Sequence, residues 1–238
     1  YEVPMAIAIA GVLLLVGPAL PADATELAGV SSMALSKIVE SQVLPFLIVS
    51  PLAFLVFVAA SVAEISRTPF DQIEAESELG SGYHTEYSGT KFAIFQLAEF
   101  MAPIVAAIII VTLFLGGTRG FSPIPGQAWF VFKVFAVIFL LIWVRATWPR
   151  LRIDQIMSFA WKGLFGLSIF NLFLVAAEVE FLAEDGLLST GALWTMAAIN
   201  WPVTLASIVV LSRILRSSRV DRSEPAPSPL ANMYAEAD

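Results

Sequence analysis

The chain has 238 residues, 58% hydrophobic and only 14% charged, with mean hydropathy +0.82. Soluble domains carry about 25% charged residues, so a soluble domain is excluded and the composition is that of an integral membrane protein. No cysteine and a single histidine, His84, are present, which excludes iron–sulfur clusters and structural zinc within this chain and assigns any electron carriage elsewhere. The net charge of −7 matters through its placement.

An apolar run begins directly behind Tyr1 with no recognisable signal peptide, so the N-terminal part of a longer protein is expected to precede it. A helical span needs about 20 mainly apolar residues. Six runs qualify: 4–20, 43–63, 92–117, 128–144, 159–177 and 191–212. They lack apolar–polar alternation, so the expected fold is all-α, a polytopic transmembrane helix bundle rather than a barrel. Gly17, Pro18 and Pro21 close the first run; Pro45 and Pro51 lie inside the second and predict a kink. Pro123 and Pro125 mark the loop before the fourth. No internal repeat is evident, which disfavours an inverted-repeat transporter. Residues 1–222 read as one transmembrane domain, and the Pro-, Ser- and Ala-rich tail 223–238 as disordered.

With six spans the loops alternate sides. One side receives Arg67, Lys91, Arg145, Arg150, Arg152, Lys162, Arg213, Arg216, Arg219 and Arg222; the other receives only Lys37 and Arg119, with Lys133 inside a span. The positive-inside rule puts the first set in the cytoplasm. The long loop 64–91 and both ends of the chain go with it.

That loop is acidic. The stretch AEISRTPFDQIEAESELGSGYHTEYSGTKFAIFQLAEF, residues 63–100, holds Glu64, Asp71, Glu74, Glu76, Glu78, Glu86 and Glu99 against Arg67 and Lys91. Crowded carboxylates raise one another's affinity for protons as they are desolvated, and Arg67 opposes that for its neighbours. Such a cluster changes proton occupancy when a nearby charge changes. The plainer reading is a solvated acidic loop that docks a basic partner. Glu64 and Arg67, three apart, would pair locally on a helix. Glu99 lies one to two turns into the third span and is a functional candidate by position, or an interfacial carboxylate held by a neighbouring helix. Lys133, five residues into the fourth span, either functions there or snorkels to the outer surface. Glu2 precedes the first span, where a helix N-terminus favours a carboxylate. His84 reads as structural. The arginines of the second basic loop, Trp148 to Gln155, anchor the interface or face the acidic loop from the same side.

The 63–100 stretch, with its EAESEL, TEYSG and LAEF, resembles the signature of the H subunit of bacterial respiratory complex I, the homologue of mitochondrial NADH dehydrogenase subunit one. A second block, KVFAVIFLLIWVRATWPRLRIDQIMSFAWK, is similar to later spans of that family, and YEVP to the start of another of its helices. The resemblance covers the chain up to about residue 177. It implies a membrane subunit of a proton-translocating NADH:quinone oxidoreductase, inactive alone, in the bacterial inner (plasma) membrane. Quinone would be the substrate, with no iron–sulfur cluster, flavin or metal in this chain. An iron–sulfur peripheral arm and adjacent membrane-arm subunits would be partners, with lipid around them and no nucleic acid. Residue by residue it puts Arg67, Asp71, Glu74, Glu76 and Glu78 beside the quinone tunnel, and Glu2, Glu64, Glu86, Glu99 and Lys133 on a proton relay. Arg145, Arg150 and Arg152 would belong to a loop facing the peripheral arm. Where the family reads AETNR this chain has AEISR, so Ile65 and Ser66 replace two polar positions. Gly80 stands where an apolar residue is common, and the span 191–212 and arginine-rich tail exceed the minimal pattern. Alternatives are the equivalent subunit of a membrane-bound hydrogenase or of a ferredoxin- or deazaflavin-linked complex, a stand-alone ion transporter, or a passive anchor.

Overall fold

A computed structural model describes residues 1–19, 38–39, 42, 44–65, 69–70, 86–120, 125–149, 151–182 and 188–220, without the side chains of 17–19 and 214–220. Every described element is a helix: α1 (Glu2–Ala19), α2 (Phe46–Val49), α3 (Pro51–Glu64), α4 (Gly89–Phe114), α5 (Gly126–Thr147), α6 (Ile153–Ser158), a π segment (Phe159–Phe165), α7 (Gly166–Leu182) and α8 (Thr190–Val220). Among the described residues four runs are long and apolar enough to cross a bilayer: Gly89–Phe114, Gly126–Thr147, Ile153–Leu182 and Thr190–Arg213. In lipid an unpaired backbone group has no water to turn to, so an apolar run of this length closes its own hydrogen bonds as a helix.

The first two predicted spans are realised as shorter apolar helices, Glu2–Val16 and Pro51–Glu64. The second is broken rather than kinked. Ser50 takes φ −133° and ψ 75° between α2 and α3, and Pro51 starts the new helix at its first turn, where a missing N–H costs nothing. The fifth begins six residues earlier than expected and ends five later, so Glu178 and Glu180 lie inside its helix. Most of the acidic loop and the tail 223–238 fall outside the described residues.

The core forms where α1 packs along α7 and α3. Lipid tails are as apolar as leucine, so close packing rather than water exclusion holds such helices together. Gly11 permits it: a Cβ there would come within 3.2 Å of Asn171 Nδ2 on α7. Phe114, fully buried, closes the core at the far end of α4, its ring 5.4 Å from Phe57 and 5.5 Å from Phe54 on α3. The hairpin of α4 and α5 is gripped at that end alone. The buried residues of α4 all lie in its last turns, from Ala107 to Phe114, and α5 buries none. A smaller cluster of Ala63, Phe70 and Ile156 sits at the opposite end, against Tyr1, Leu151 and Phe159.

Candidate functional site

The Tyr1 end gathers the start of α1, the end of α3, and the segments leading into α6. Tyr1, Phe70 and Phe159 form an aromatic row, with centroids 6.0 and 5.9 Å apart. Burial pushes the Tyr1 phenol up from its ordinary value. The Leu151 N–H donates to the Pro69 carbonyl at 3.0 Å, so the stretch entering the acidic loop is tied to the second basic loop. Arg152 opens α6, and its backbone N–H donates to Gln155 Oε1 at 3.3 Å.

Of the sequence-predicted residues, Glu2 and Glu64 lie at this end and are exposed. Glu86 is exposed just before α4; Glu99 is partly exposed on α4, about ten residues or 15 Å from its start. Pro103, four residues beyond Glu99, has no N–H to give the Glu99 carbonyl. Arg145 and Arg152 are exposed, at the end of α5 and the start of α6. Arg67, Asp71, Glu74, Glu76, Glu78, His84 and Arg150 lie outside the described residues. No group of three His, Asp or Glu that could hold a metal ion occurs among the described residues.

Lys133 belongs to the other end. Its Nζ donates to three backbone carbonyls, Arg119 at 2.6 Å, Leu115 at 2.7 Å and Gly117 at 3.2 Å. An ammonium has three N–H bonds, and here one goes to the C-cap carbonyl of α4 and two to the turn that follows it. Buried Gln42 takes two more carbonyls there, Leu113 at 2.8 Å and Thr112 at 3.0 Å, and Arg119 donates to the Gln42 carbonyl. The Gly117 N–H returns to the Val111 carbonyl, six residues back, at 3.0 Å, which satisfies a carbonyl of the last turn of α4.

A further polar set escaped the sequence reading. Asn200 of α8 spends both amide hydrogens, on Glu178 Oε2 and on the Val49 carbonyl, each at 2.8 Å. Ser50, at the helix break, donates to Asn171 Oδ1 at 3.3 Å. All four side chains are buried. Asn171 and Asn200 inside apolar runs were the available signal. Glu178 was lost because the fifth run was ended at residue 177.

A bundle of long apolar helices with sparse, inward-facing polar side chains defines a polytopic integral membrane protein. The NADH dehydrogenase family model matches residues 1–176, and the chain belongs to that family. It is 41% identical over 216 residues to the H subunit of the NADH-quinone oxidoreductase of Dehalococcoides mccartyi strain CBDB1, covering 91% of this chain and 55% of the relative. The corresponding protein of Geobacillus kaustophilus is 47% identical over 180 residues, covering 74% and 50%. That of Bacillus thuringiensis is 45% identical over 186 residues, covering 76% and 51%. The chain thus spans about half the length of the curated relatives it matches.

Proposed function

We propose that this chain supplies part of the membrane subunit through which a proton-translocating NADH:quinone oxidoreductase couples quinone reduction to proton movement. The bundle crosses the inner membrane six times, α1 and the α2–α3 pair included, with the Tyr1 end, the acidic loop and the C-terminus in the cytoplasm. An iron–sulfur peripheral arm docks there, on the side of Arg145, Arg150 and Arg152, and adjacent membrane-arm subunits complete the complex.

The observation that carries this reading is the bond from Leu151 to Pro69. It fixes the entry to the acidic segment beside the starts of α1 and α6, next to Glu2 and Glu64. Arg67, Asp71, Glu74, Glu76 and Glu78 border the quinone in this reading. Quinone reduction consumes protons and changes local charge. A unit change about 4 Å from a carboxyl acts with about 4 kcal/mol at an effective dielectric near 20. That moves the carboxyl's titration by about three pH units, and a fraction of it suffices. The altered occupancy passes to Glu64, Glu2, Glu86 and Glu99. Lys133, with its hydrogens committed to carbonyls, contributes a fixed positive charge on that route.

The test is Asp71→Asn and Glu76→Gln in the assembled complex. Quinone reductase activity falls at least tenfold with subunit composition intact. Wild-type turnover in either assembled variant removes the mechanism.

A further inference from the structure

Glu178 lies on α7, 7% exposed, with Asn171 and Asn200 each 1% exposed beside the break at Ser50. Its Oε2 accepts Asn200 Nδ2 at 2.8 Å, while Oε1 has no partner. Asn200 places its other N–H on the Val49 carbonyl at 2.8 Å, which leaves its Oδ1 without a donor. The amide cannot be turned over to relieve this, because Oδ1 would then face a carbonyl oxygen that only accepts. Two side chains joined by one hydrogen bond thus carry two free acceptors in a buried place. Acceptors cannot satisfy each other. Native interiors leave few such groups unpaired.

One hydrogen resolves the arrangement. The geometry points to Glu178 as a proton-binding site inside the membrane domain, held as the neutral acid, with its O–H turned to Asn200 Oδ1. An ionised carboxylate has no hydrogen to offer that oxygen and adds a buried charge besides. Among the described residues nothing balances that charge. Among the described side chains, the titratable groups on α7 and on the elements packed against it are Glu180, Glu2, Glu64, Lys162 and Arg213. All five are exposed, and Glu178 forms no ion pair with any of them.

The site is separate from the Tyr1 end, and its test does not use turnover. Infrared spectra of the resting purified complex, wild type and Glu178→Gln, are compared in H2O and D2O. The expected result is one carboxylic-acid C=O band that shifts in D2O and is lost in Glu178→Gln. That variant assembles as wild type does, because its amide reproduces the shape of the neutral acid and keeps a donor facing Asn200. Loss of a carboxylate band in place of the acid band overturns the proposal, since the site then holds an anion with a cation or water. So does failure of Glu178→Gln to assemble. Either outcome leaves the quinone reading standing, and failure of Asp71→Asn to affect turnover leaves this site standing.

Discussion

Replacing Lys133 with Met keeps the length and apolar stem of the side chain and deletes three hydrogen bonds at once. Those bonds run to Leu115, Gly117 and Arg119 at 2.6 to 3.2 Å. A bond to a charged group nets about 1.5–3 kcal/mol in general. Lys133 is only partly buried, and water takes up part of each loss, so about 1 kcal/mol per bond is the defensible figure. Loss of a cation from the negative end of α4 adds about 0.5 kcal/mol. The total is about 3.5 kcal/mol, concentrated where the α4–α5 hairpin meets the core. Thermal inactivation of the purified complex reads it. If the full cost falls on the unfolding barrier, inactivation at a fixed temperature accelerates by about 400-fold. Lys133→Arg, which keeps charge and donors, lies between the two. An inactivation rate for Lys133→Met equal to wild type refutes the capping argument. If proton translocation is nevertheless lost, Lys133 acts as a relay group and not as an anchor.

Two further substitutions test the packing. Asn200→Ala strands the Val49 carbonyl and Glu178 Oε2; hydrogen bonds between helices in membranes average about 0.6 kcal/mol and reach about 1.7, so the two together cost about 1–2 kcal/mol, read as a faster thermal inactivation of the complex. No change there means the network is wet enough to repair itself. Gly117→Val forces a branched residue to φ +50° and brings its Cβ within 2.8 Å of Val39 Cγ2; the strained backbone alone costs about 1–3 kcal/mol, and assembly of the complex falls, whereas unaltered assembly shows that the turn after α4 relaxes freely.

Helix content and approximate boundaries were legible because lipid leaves a backbone few choices and because charged residues cluster in the loops. The third run was expected at 92–117 and found at Gly89–Phe114, and the fourth at 128–144 and found at Gly126–Thr147. The fifth run was expected to end at residue 177, one short of Glu178, and it runs on because Asn200 on another helix shelters that carboxyl. The prolines of the second run signalled a disturbance. Whether Pro51 would bend the helix or restart it could not be read locally, since the Val49 carbonyl at the break accepts from Asn200 Nδ2, 151 residues away in sequence. The same distance effect hid the role of Lys133, whose partners lie 14 to 18 residues back across a turn. Charge counting left open whether the second basic loop faces the acidic stretch; the contact the structure shows is the single bond from Leu151 to Pro69.

The α5 helix shows nearly its whole circumference to the outside, including Phe132, Phe135, Phe139 and Trp143 at more than 60% exposure each. A rod so bare takes its upright posture from whatever solvates it, be it acyl chains or a neighbouring polypeptide. Detergent exchange that strips those companions should therefore slacken this rod first, well before the α1–α3–α7 centre notices.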